Sequence, residues 1–369
     1  MNLKFKHIAI ALVALLLGFA SCSSENDGPV AGDNLRTVFL KINNQPVTYA
    51  VSSPQTATPV TFTSGNLYFT NSAGNILKHY TISDAETTDT NIQMSELSNA
   101  GAAITNLPLE VTGVYVVGNT KDLPQTGPIS GVQGKLLHVT SQTNIETVNL
   151  YGKQTTLTPA GENKFRATVS LTPIISRIEL GEIKAGGTIE SFDVAGIFID
   201  NYYEEATVDG QVGDVVSNST ETTSFTDNST EYPKKLYPAI YDWYADGLKS
   251  VNKTAAPANG NIWAYNLFAG NSVPRMIIRL ANIEVSEGST PINGDRFITI
   301  KGFKHNGVSL SRLEAGKVYR LGAGVDGEGK IEIDDEDVQE TPNISTIDVS
   351  VSIELAKWEL VDVTPDIEK

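Results

Sequence analysis

Apolar and polar residues alternate strictly through the segment Ile347–Leu355, and this pattern constrains the fold more than any other feature of the chain. One parity holds Ile347, Val349, Val351, Ile353 and Leu355, and the other holds Asp348, Ser350, Ser352 and Glu354. Successive side chains of a strand point to opposite faces, so the segment predicts a β-strand with one wholly apolar face. The phase slips at Trp358 and Leu360, which predicts a bulge and a second strand segment ending near Val363.

Short runs of β-branched and aromatic residues recur elsewhere, separated by Gly, Asn and Pro. The predicted strands are Thr37–Ile42, Val114–Val117, Phe165–Leu171, Ile174–Leu180, Phe192–Ile199, Arg275–Leu280, Phe297–Ile300 and Lys317–Leu321. Thr61–Thr63 and Leu67–Phe69 flank Ser64-Gly65-Asn66, a pattern typical of a hairpin. Only Asn91–Asn99 and Tyr237–Leu248 are compatible with short helices. Many short strands without alternating helices predict an all-β chain of antiparallel sandwiches.

The first 21 residues have the pattern of a secretory signal. Lys4 and Lys6 precede the apolar run Ile8–Gly18, which is shorter than the roughly 20 residues of a transmembrane helix. Cys22 follows and is the single cysteine of the chain, so no disulfide forms within it. A lone cysteine at this point resembles a bacterial lipobox, although Phe19 replaces the usual Leu, and the alternative is an ordinary signal peptide with an unrelated cysteine. We predict that Cys22 is acylated and anchors the chain to the outer membrane through the flexible tether 22–36.

The charge balance bears on possible partners. Removal of residues 1–21 takes two of the 27 basic residues and none of the 43 acidic ones, which leaves a net charge of −18. Such a chain repels phosphate backbones, so a nucleic-acid partner is excluded. The roughly 335 residues after the tether are too many for one small sandwich and predict two domains.

No group of residues points to catalysis or to a bound metal. The acidic run Asp334–Asp337 has the ligand type that calcium prefers but not the spacing of an EF-hand loop, which favours a solvated charge run. Asp200 with Glu204 and Glu205 could form a glycosidase pair, but nothing in the sequence fixes their separation. The histidines at His79, His138 and His305 are scattered singly. We therefore predict no enzyme activity and no cofactor.

Aromatic residues between Trp243 and Phe268 support an alternative function. With nearby tyrosines and Trp358, Trp243 and Trp263 could form a platform on which sugar rings stack, which would suit a monomeric glycan-binding lipoprotein at the cell surface. However, Trp263–Phe268 alternates, so half of these side chains are expected to point inward. Core packing is the favoured interpretation.

Seven ordered stretches together resemble the fimbrillin family, the major fimbrial subunits of Bacteroidales. They are TFTSGNLYF (61–69), VYVVGN (114–119), LTPIISRIEL (171–180), SFDVAGIFIDNYY (191–203), WAYNLFAGNSVPRMIIRL (263–280), GKVYRL (316–321) and AKWELVDVTP (356–365). The resemblance implies two tandem transthyretin-like antiparallel β-sandwich domains with a junction near Asn163–Leu171. The implied division is an N-terminal domain over 37–165 and a C-terminal domain over 166–369, with a donor-strand tail at about 345–369.

The resemblance also implies a mode of assembly. In that family a protease cuts after an arginine that follows the first strand, and the C-terminal strands of another subunit fill the vacated groove. Here the removable strand would present Val38, Leu40 and Ile42. The donor would present Ile347, Val349, Val351, Ile353, Leu355 and Trp358, and burying its five aliphatic side chains would contribute on the order of 10 kcal/mol. The implied partners are other copies or related subunits in a surface fimbrium, and host or bacterial surface ligands.

The chain departs from the family at the expected cut. Asn43–Thr61 contains no arginine or lysine, and Tyr49 stands about where the arginine is expected. Arg36 lies before the predicted strand, so a cut there would only free the tether. Either another protease acts, or the subunit keeps its first strand and serves as a lipid-anchored base; the donor-like tail favours the shaft.

Overall fold

The computed structural model describes residues 35–44, 62–98, 101–142, 148–180, 183–216, 241–243, 249–252, 263–300, 302–305, 308–321 and 331–340. Most of these residues lie in strands, and the helices are few and short, so the predicted all-β class is confirmed. Within these ranges, no helix has the length and apolar character needed to cross a membrane.

The elements of the first half begin with the predicted first strand. In order they are β1 (Leu35–Asn44), β2 (Gly65–Thr70), β3 (Ile76–Ser83), β4 (Asn91–Gln93), α1 (Met94–Ser98), β5 (Ala102–Pro108), β6 (Gly113–Gly118), α2 (Ile129–Gln133), β7 (Leu136–His138), a 3-10 helix (Val139–Gln142), β8 (Leu150–Gln154), β9 (Thr158–Gly161) and β10 (Lys164–Pro173). Except for β7, these strands form one sheet in the order β4-β3-β2-β6-β8-β10-β1-β5, with β9 beside β10. Their inward residues, such as Val38, Leu67 and Val169, belong to one apolar core.

The second half contains smaller sheets. Its strands are β11 (Ile175–Leu180), β12 (Ile183–Ala185), β13 (Ile189–Asp200), β14 (Tyr202–Tyr203), β15 (Glu205–Thr207), β16 (Val215–Val216), β17 (Tyr241–Trp243), β18 (Lys249–Asn252), β19 (Trp263–Phe268), β20 (Arg275–Val285), β21 (Arg296–Ile300), β22 (Lys304–His305), β23 (Val308–Ser309), β24 (Val318–Leu321) and β25 (Ile331–Ile333). The largest sheet has the order β17-β13-β20-β21 with β18 beside β13, and β19-β11-β24 form another. The strands predicted between Ile174 and Leu321 are therefore confirmed, whereas the predicted strand Ile347–Leu355 lies outside the described residues.

The sheets contain both parallel and antiparallel pairs, whereas the sequence predicted antiparallel sheets. Four pairs run parallel, namely β1 with β10, β3 with β4, β11 with β24, and β12 with β25. Three of these pairs join strands that are distant in sequence, and β3 and β4 are joined by residues 84–90, whereas the predicted antiparallel order assumed short hairpins. The all-β class holds, and the pairing within it differs.

The predicted hairpin at Ser64-Gly65-Asn66 is wrong. Gly65 begins β2 and pairs with Gly118 of β6 and with Ile82 of β3, so no turn separates two strands here. A Cβ at Gly65 would lie 2.7 Å from the ring of Phe62. The glycine is therefore needed for the close approach of Phe62 to the sheet and not for a turn.

Of the two segments compatible with helices, the structure contains a helix in the first and a strand in the second. Within Asn91–Asn99 the helix is the single turn α1, preceded by the short strand β4. Within Tyr237–Leu248 the described residues, Tyr241–Trp243, form strand β17 against β13, so a helix there is wrong. Residues 237–240 and 244–248 lie outside the described ranges.

Strand partners change between the two halves at Ile174. Strand β10 pairs with β1, β8 and β9, whereas β11 pairs with β19 and β24. The division into 37–165 and 166–369 stays a prediction. Because β10 belongs to the first sheet along its whole length, we propose that the first domain extends to Pro173.

A second, smaller core covers the other face of the first sheet. Tyr68 and Tyr115 point away from the main core and pack with Ile129 and Val132 of α2 and with Val208 from the second half. The two halves also meet where β7 pairs with β15 and where Val208 N donates to Lys135 O at 3.0 Å. Burial raises the pKa of the Tyr68 hydroxyl, as expected for a phenol inside an apolar core.

His79 of β3 gives the fold a dependence on pH. Its ring lies 4.9 Å from that of Tyr68, and its Nε2 donates to Asn66 Oδ1 at 3.0 Å. Burial lowers the pKa of His79 below its usual value of 6.5, so the folded chain favours the neutral ring. The unfolded chain takes up this proton more readily, so stability is lost as the pH falls through about 6.5.

We expect the wild-type unfolding temperature to fall more between about pH 7.5 and about pH 5 than that of His79→Gln. Circular dichroism melts of the full chain measure both. Lys78→Gln on the same strand is the control, because lysine does not titrate in this range. Parallel pH curves for wild type and His79→Gln would contradict the assignment.

Candidate assembly site

Strand β1 lies inside the first sheet with a partner on each side. Thr37–Asn44 pair in parallel with Lys164–Leu171 of β10, and Leu35–Leu40 pair antiparallel with β5. The ladder to β5 shifts register between Arg36 and Val38, and Asn106 of β5 has a positive φ of 59°. Taking β1 away would therefore expose backbone N–H and C=O groups on both β5 and β10.

The inward face of β1 carries the three residues predicted from the alternation. Val38 and Leu40 are 0% exposed and Ile42 is 2% exposed, and all three belong to the main core. Burying one such side chain contributes about 1.5–3 kcal/mol. Loss of the strand would leave an apolar trough in the core as well as two open ladders.

Arg36 lies within β1 and not before it as the sequence predicted. Its Nη1 donates to the backbone oxygen of Val111, and its guanidinium carbon lies 4.5 Å from the centroid of the Phe165 ring. These contacts hold the start of the strand against β10 and the loop after β5. A cut after Arg36 would leave Thr37–Asn44 in the sheet, so this arginine cannot release the strand.

The outward face of β1 borders an open cavity of about 400 Å³. Its lining includes Phe39, Lys41, Arg166 and Thr168. Phe39 is 41% exposed and Leu35 is 43% exposed, so apolar side chains also lie on the solvent side of the strand. Gly101 lies beside the strand with φ of 86°, and a Cβ there would come 2.9 Å from Leu40 O.

Other parts of the predicted site lie outside the described residues. These are the signal and Cys22, most of the tether, the segment 45–61 that holds the expected cut, and the donor residues Ile347, Val349, Val351, Ile353, Leu355 and Trp358. They stay predictions from the sequence.

The candidate catalytic carboxylates do not form a glycosidase pair. Asp200 is fully buried, and its Oδ2 lies 2.7 Å from Arg275 Nη2. Glu204 Oε1 lies 3.0 Å from His138 Nε2, and His138 Nδ1 lies 2.7 Å from Thr140 Oγ1. Asp200 and Glu204 are thus each held by a structural partner, and Asp200 has no access to a substrate.

The acidic run Asp334–Asp337 orders a loop. Asp335 Oδ1 accepts hydrogen bonds from the backbone N and the hydroxyl of Thr188, at 3.2 and 3.0 Å. Asp337 Oδ2 accepts from Asp334 N at 3.0 Å. In the described part of the chain no group of three or more His, Cys, Asp or Glu is placed to hold a metal ion. These hydrogen bonds order Asp334–Asp337 as a loop, whereas the sequence favoured a run of solvated charges.

The aromatic residues around Trp263 are packed inside the protein. Trp263 is 8% exposed and Tyr265 is 6% exposed, and both belong to the main core. The preference for core packing is therefore confirmed for this strand. Trp263 and Tyr265 are therefore too buried to stack on sugar rings, and the side chains of Trp243 and Trp358 lie outside the described residues.

Solved structures with little sequence identity share the fold of this chain. The sequence matches no protein-family model and no curated protein. A solved fimbrilin from Porphyromonas gingivalis is 11% identical with a TM-score of 0.51, over 90% of this chain and 98% of that chain. A candidate cell adhesion protein from Parabacteroides distasonis is 13% identical with a TM-score of 0.50, over 90% and 98%.

The chain has a fimbrillin-like fold. A candidate cell adhesion protein from Bacteroides eggerthii is also similar, at 17% identity and a TM-score of 0.49, over 93% of this chain and 98% of that chain. Identities this low establish the fold alone, so function is argued from the site. The solved relatives are described as fimbrial or adhesion proteins and not as enzymes.

The sequence missed three features of the site. The parallel neighbour β10, the bulged neighbour β5 and the position of Arg36 in the strand all depend on contacts between residues distant in sequence.

Proposed function

We propose that the protein is a structural fimbrial subunit that polymerises by strand exchange, in which β1 is removed and the tail of another copy replaces it. The observation that carries this proposal is the placement of β1. It is the first strand described in the chain, yet it lies inside the sheet and completes the core. A strand so placed leaves a well-defined acceptor when it is lost.

The dimensions of the vacated site favour one inserted strand. Neighbouring strands lie about 4.8 Å apart, so β5 and β10 would be left about 10 Å apart with one strand missing between them. An inserted strand restores both ladders and refills the trough left by Val38, Leu40 and Ile42. Two-sided pairing distinguishes this site from a simple exposed sheet edge.

The tail of the chain has the composition that a donor needs. Its five alternating aliphatic residues, Ile347 to Leu355, exceed the three that β1 places in the core. A tail donated to the next copy makes a head-to-tail contact that does not close on itself, so repeated donation gives a filament. Export as a lipoprotein anchored at Cys22 would hold each subunit at the outer membrane before assembly.

The cut that frees β1 falls, in this proposal, within Asn43–Thr61. That segment contains no Lys or Arg, and Arg36 lies inside the strand, so a trypsin-like cut cannot release β1 there. We propose a protease of different specificity for shaft subunits. A copy that escapes the cut would keep its lipid and act only as a donor, which would suit a base anchor.

We expect subunits recovered from the cell surface to begin between Asn43 and Thr61 and to run as SDS-resistant ladders. Intact-mass measurement and N-terminal sequencing of the recovered chain test this directly. A lipidated chain that still begins at Cys22 and forms no ladders would contradict the shaft role.

A further inference from the structure

The outward positions of β1 and of its neighbours β10 and β5 include three cations and no acid among the residues considered below. On β1 the outward residues are Thr37, Phe39, Lys41 and Asn43, on β10 they are Lys164, Arg166, Thr168 and Ser170, and on β5 they include Ala103 and Thr105. Lys41, Lys164 and Arg166 are all exposed, and none of these outward positions is acidic. This is unexpected in a chain whose acidic residues number 43 against 27 basic ones.

The register of the strands places these cations close together. Phe39 pairs with Arg166 and Lys41 pairs with Thr168, so Lys41 lies one strand across and two residues along from Arg166. With the spacing of paired strands and the rise along them, the two Cα atoms are about 8 Å apart. Among the described residues no carboxylate forms an ion pair with Lys41, Lys164 or Arg166. Like charges on neighbouring strands repel, so Lys41 and Arg166 weaken the pairing of β1 with β10.

The tail of the chain carries the opposite charge on the equivalent face. With Ile347, Val349, Val351, Ile353 and Leu355 pointing inward, the outward residues would be Asp348, Ser350, Ser352 and Glu354. This face has two acids and no base. Replacing β1 by the tail would remove Lys41 and bring a carboxylate to each end of the inserted segment.

We propose that Lys164 and Arg166 select the donor by its charge, by attracting Asp348 or Glu354 of a second copy. This inference rests on the proposed strand exchange and adds to it the residues that discriminate between strands. Both β1 and the tail present an alternating aliphatic face, so burial in the groove stabilises either strand. The outward charges do distinguish them, since exchange turns repulsion beside β10 into attraction.

The two acids make the selection possible in either direction of insertion. A donor parallel to β10, as β1 is, brings Asp348 to the end of the groove that holds Lys164 and Arg166. A donor that runs the opposite way brings Glu354 there. The proposal therefore fixes the acceptor residues, and the experiment reports the direction.

The test uses the full chain in a producing bacterium that lacks the wild-type copy. The acceptor variant carries Lys164→Glu and Arg166→Glu together. We expect its ratio of SDS-resistant polymer to monomer to fall about tenfold, the effect of turning one to two cross-strand attractions into repulsions. Lys121→Glu with Lys135→Glu makes the same change in net charge at exposed positions away from β1, and is expected to leave the ratio unchanged.

Rescue decides whether the effect is specific. Adding Asp348→Lys or Glu354→Lys to the acceptor variant is expected to restore most of the lost polymer, and the residue that rescues reports the direction of insertion. The purified unprocessed variants are expected to unfold at the wild-type temperature or slightly above it, because Arg166→Glu turns the repulsion from Lys41 into an attraction between exposed side chains. A variant that unfolds below wild type would attribute the lost polymer to misfolding. Failure of both tail changes to rescue would overturn the charge selection.

The same experiment distinguishes the charge selection from the proposed strand exchange on which it rests. Polymers that require the tail but ignore every charge reversal would overturn the selection and leave strand exchange intact. A wild-type chain that forms no polymer, or polymers that persist without the tail, would overturn strand exchange and the selection with it.

Discussion

Deleting Ser345–Lys369 is expected to abolish SDS-resistant polymers and to leave a folded monomer. The main core described in the structure is built from residues between Val38 and Ile333, so the deletion removes none of its members. The donor, by contrast, would lose its whole apolar face, worth on the order of 10 kcal/mol of burial in the acceptor. Unheated gels of surface extracts measure the polymer, and melting of the purified chain measures the fold.

A matched change on the polar face of the tail serves as the control for this deletion. Ser350→Ala with Ser352→Ala keeps the apolar parity and both acids, so ladders are expected to persist. Val351→Asp places a charge in the apolar groove and is expected to remove ladders as the deletion does. Ladders that survive both the deletion and Val351→Asp would contradict donation by the tail, and a monomer at all times would favour a surface binding protein.

The sequence predicts the inward side of the site well because that side depends on a local pattern. Val38, Leu40 and Ile42 alternate with polar or exposed residues, and alternation is a property of neighbouring residues in the chain. The structure buries all three. The same reasoning found β10, whose buried residues Ala167, Val169 and Leu171 also recur at the period of a strand.

The neighbours of β1 could not be predicted in this way. Its parallel pairing with β10 joins residues more than a hundred positions apart, and no local signal specifies such a partner. The cation–π contact between Arg36 and Phe165 depends on this pairing, which is why Arg36 was placed outside the strand. The cations on the outward face, Lys41, Lys164 and Arg166, are likewise separated in the sequence, and only the pairing of β1 with β10 brings them together.

The error at Gly65 has a related cause. A glycine between two apolar runs is a frequent turn signal, and the sequence does not show whether the glycine turns the chain or admits a neighbour. Here Phe62 packs against the start of β2, and the missing Cβ makes room for its ring. A tertiary contact therefore decides a feature that looks local.

Leu40→Ala is expected to destabilise the unprocessed subunit strongly and the polymer not at all. Leu40 is 0% exposed in the middle of β1, and truncating a buried leucine to alanine costs about 2–5 kcal/mol through lost burial and the cavity left behind. If β1 is removed before assembly, the polymer no longer contains residue 40. The variant and wild-type polymers are then expected to lose their ladders at the same temperature.

Phe39→Ala is the matched control, because Phe39 is the adjacent residue on the same strand and is 41% exposed. We expect it to lower the free energy of unfolding of the unprocessed subunit by less than about 1 kcal/mol, since a partly exposed side chain leaves little cavity. Urea unfolding of the full chain measures the subunits, and heating of surface extracts before electrophoresis measures the polymers. A Leu40→Ala polymer that dissociates at a lower temperature than wild type would show that β1 remains in the assembled subunit, and the acceptor for the tail would then have to be a different edge of the sheet.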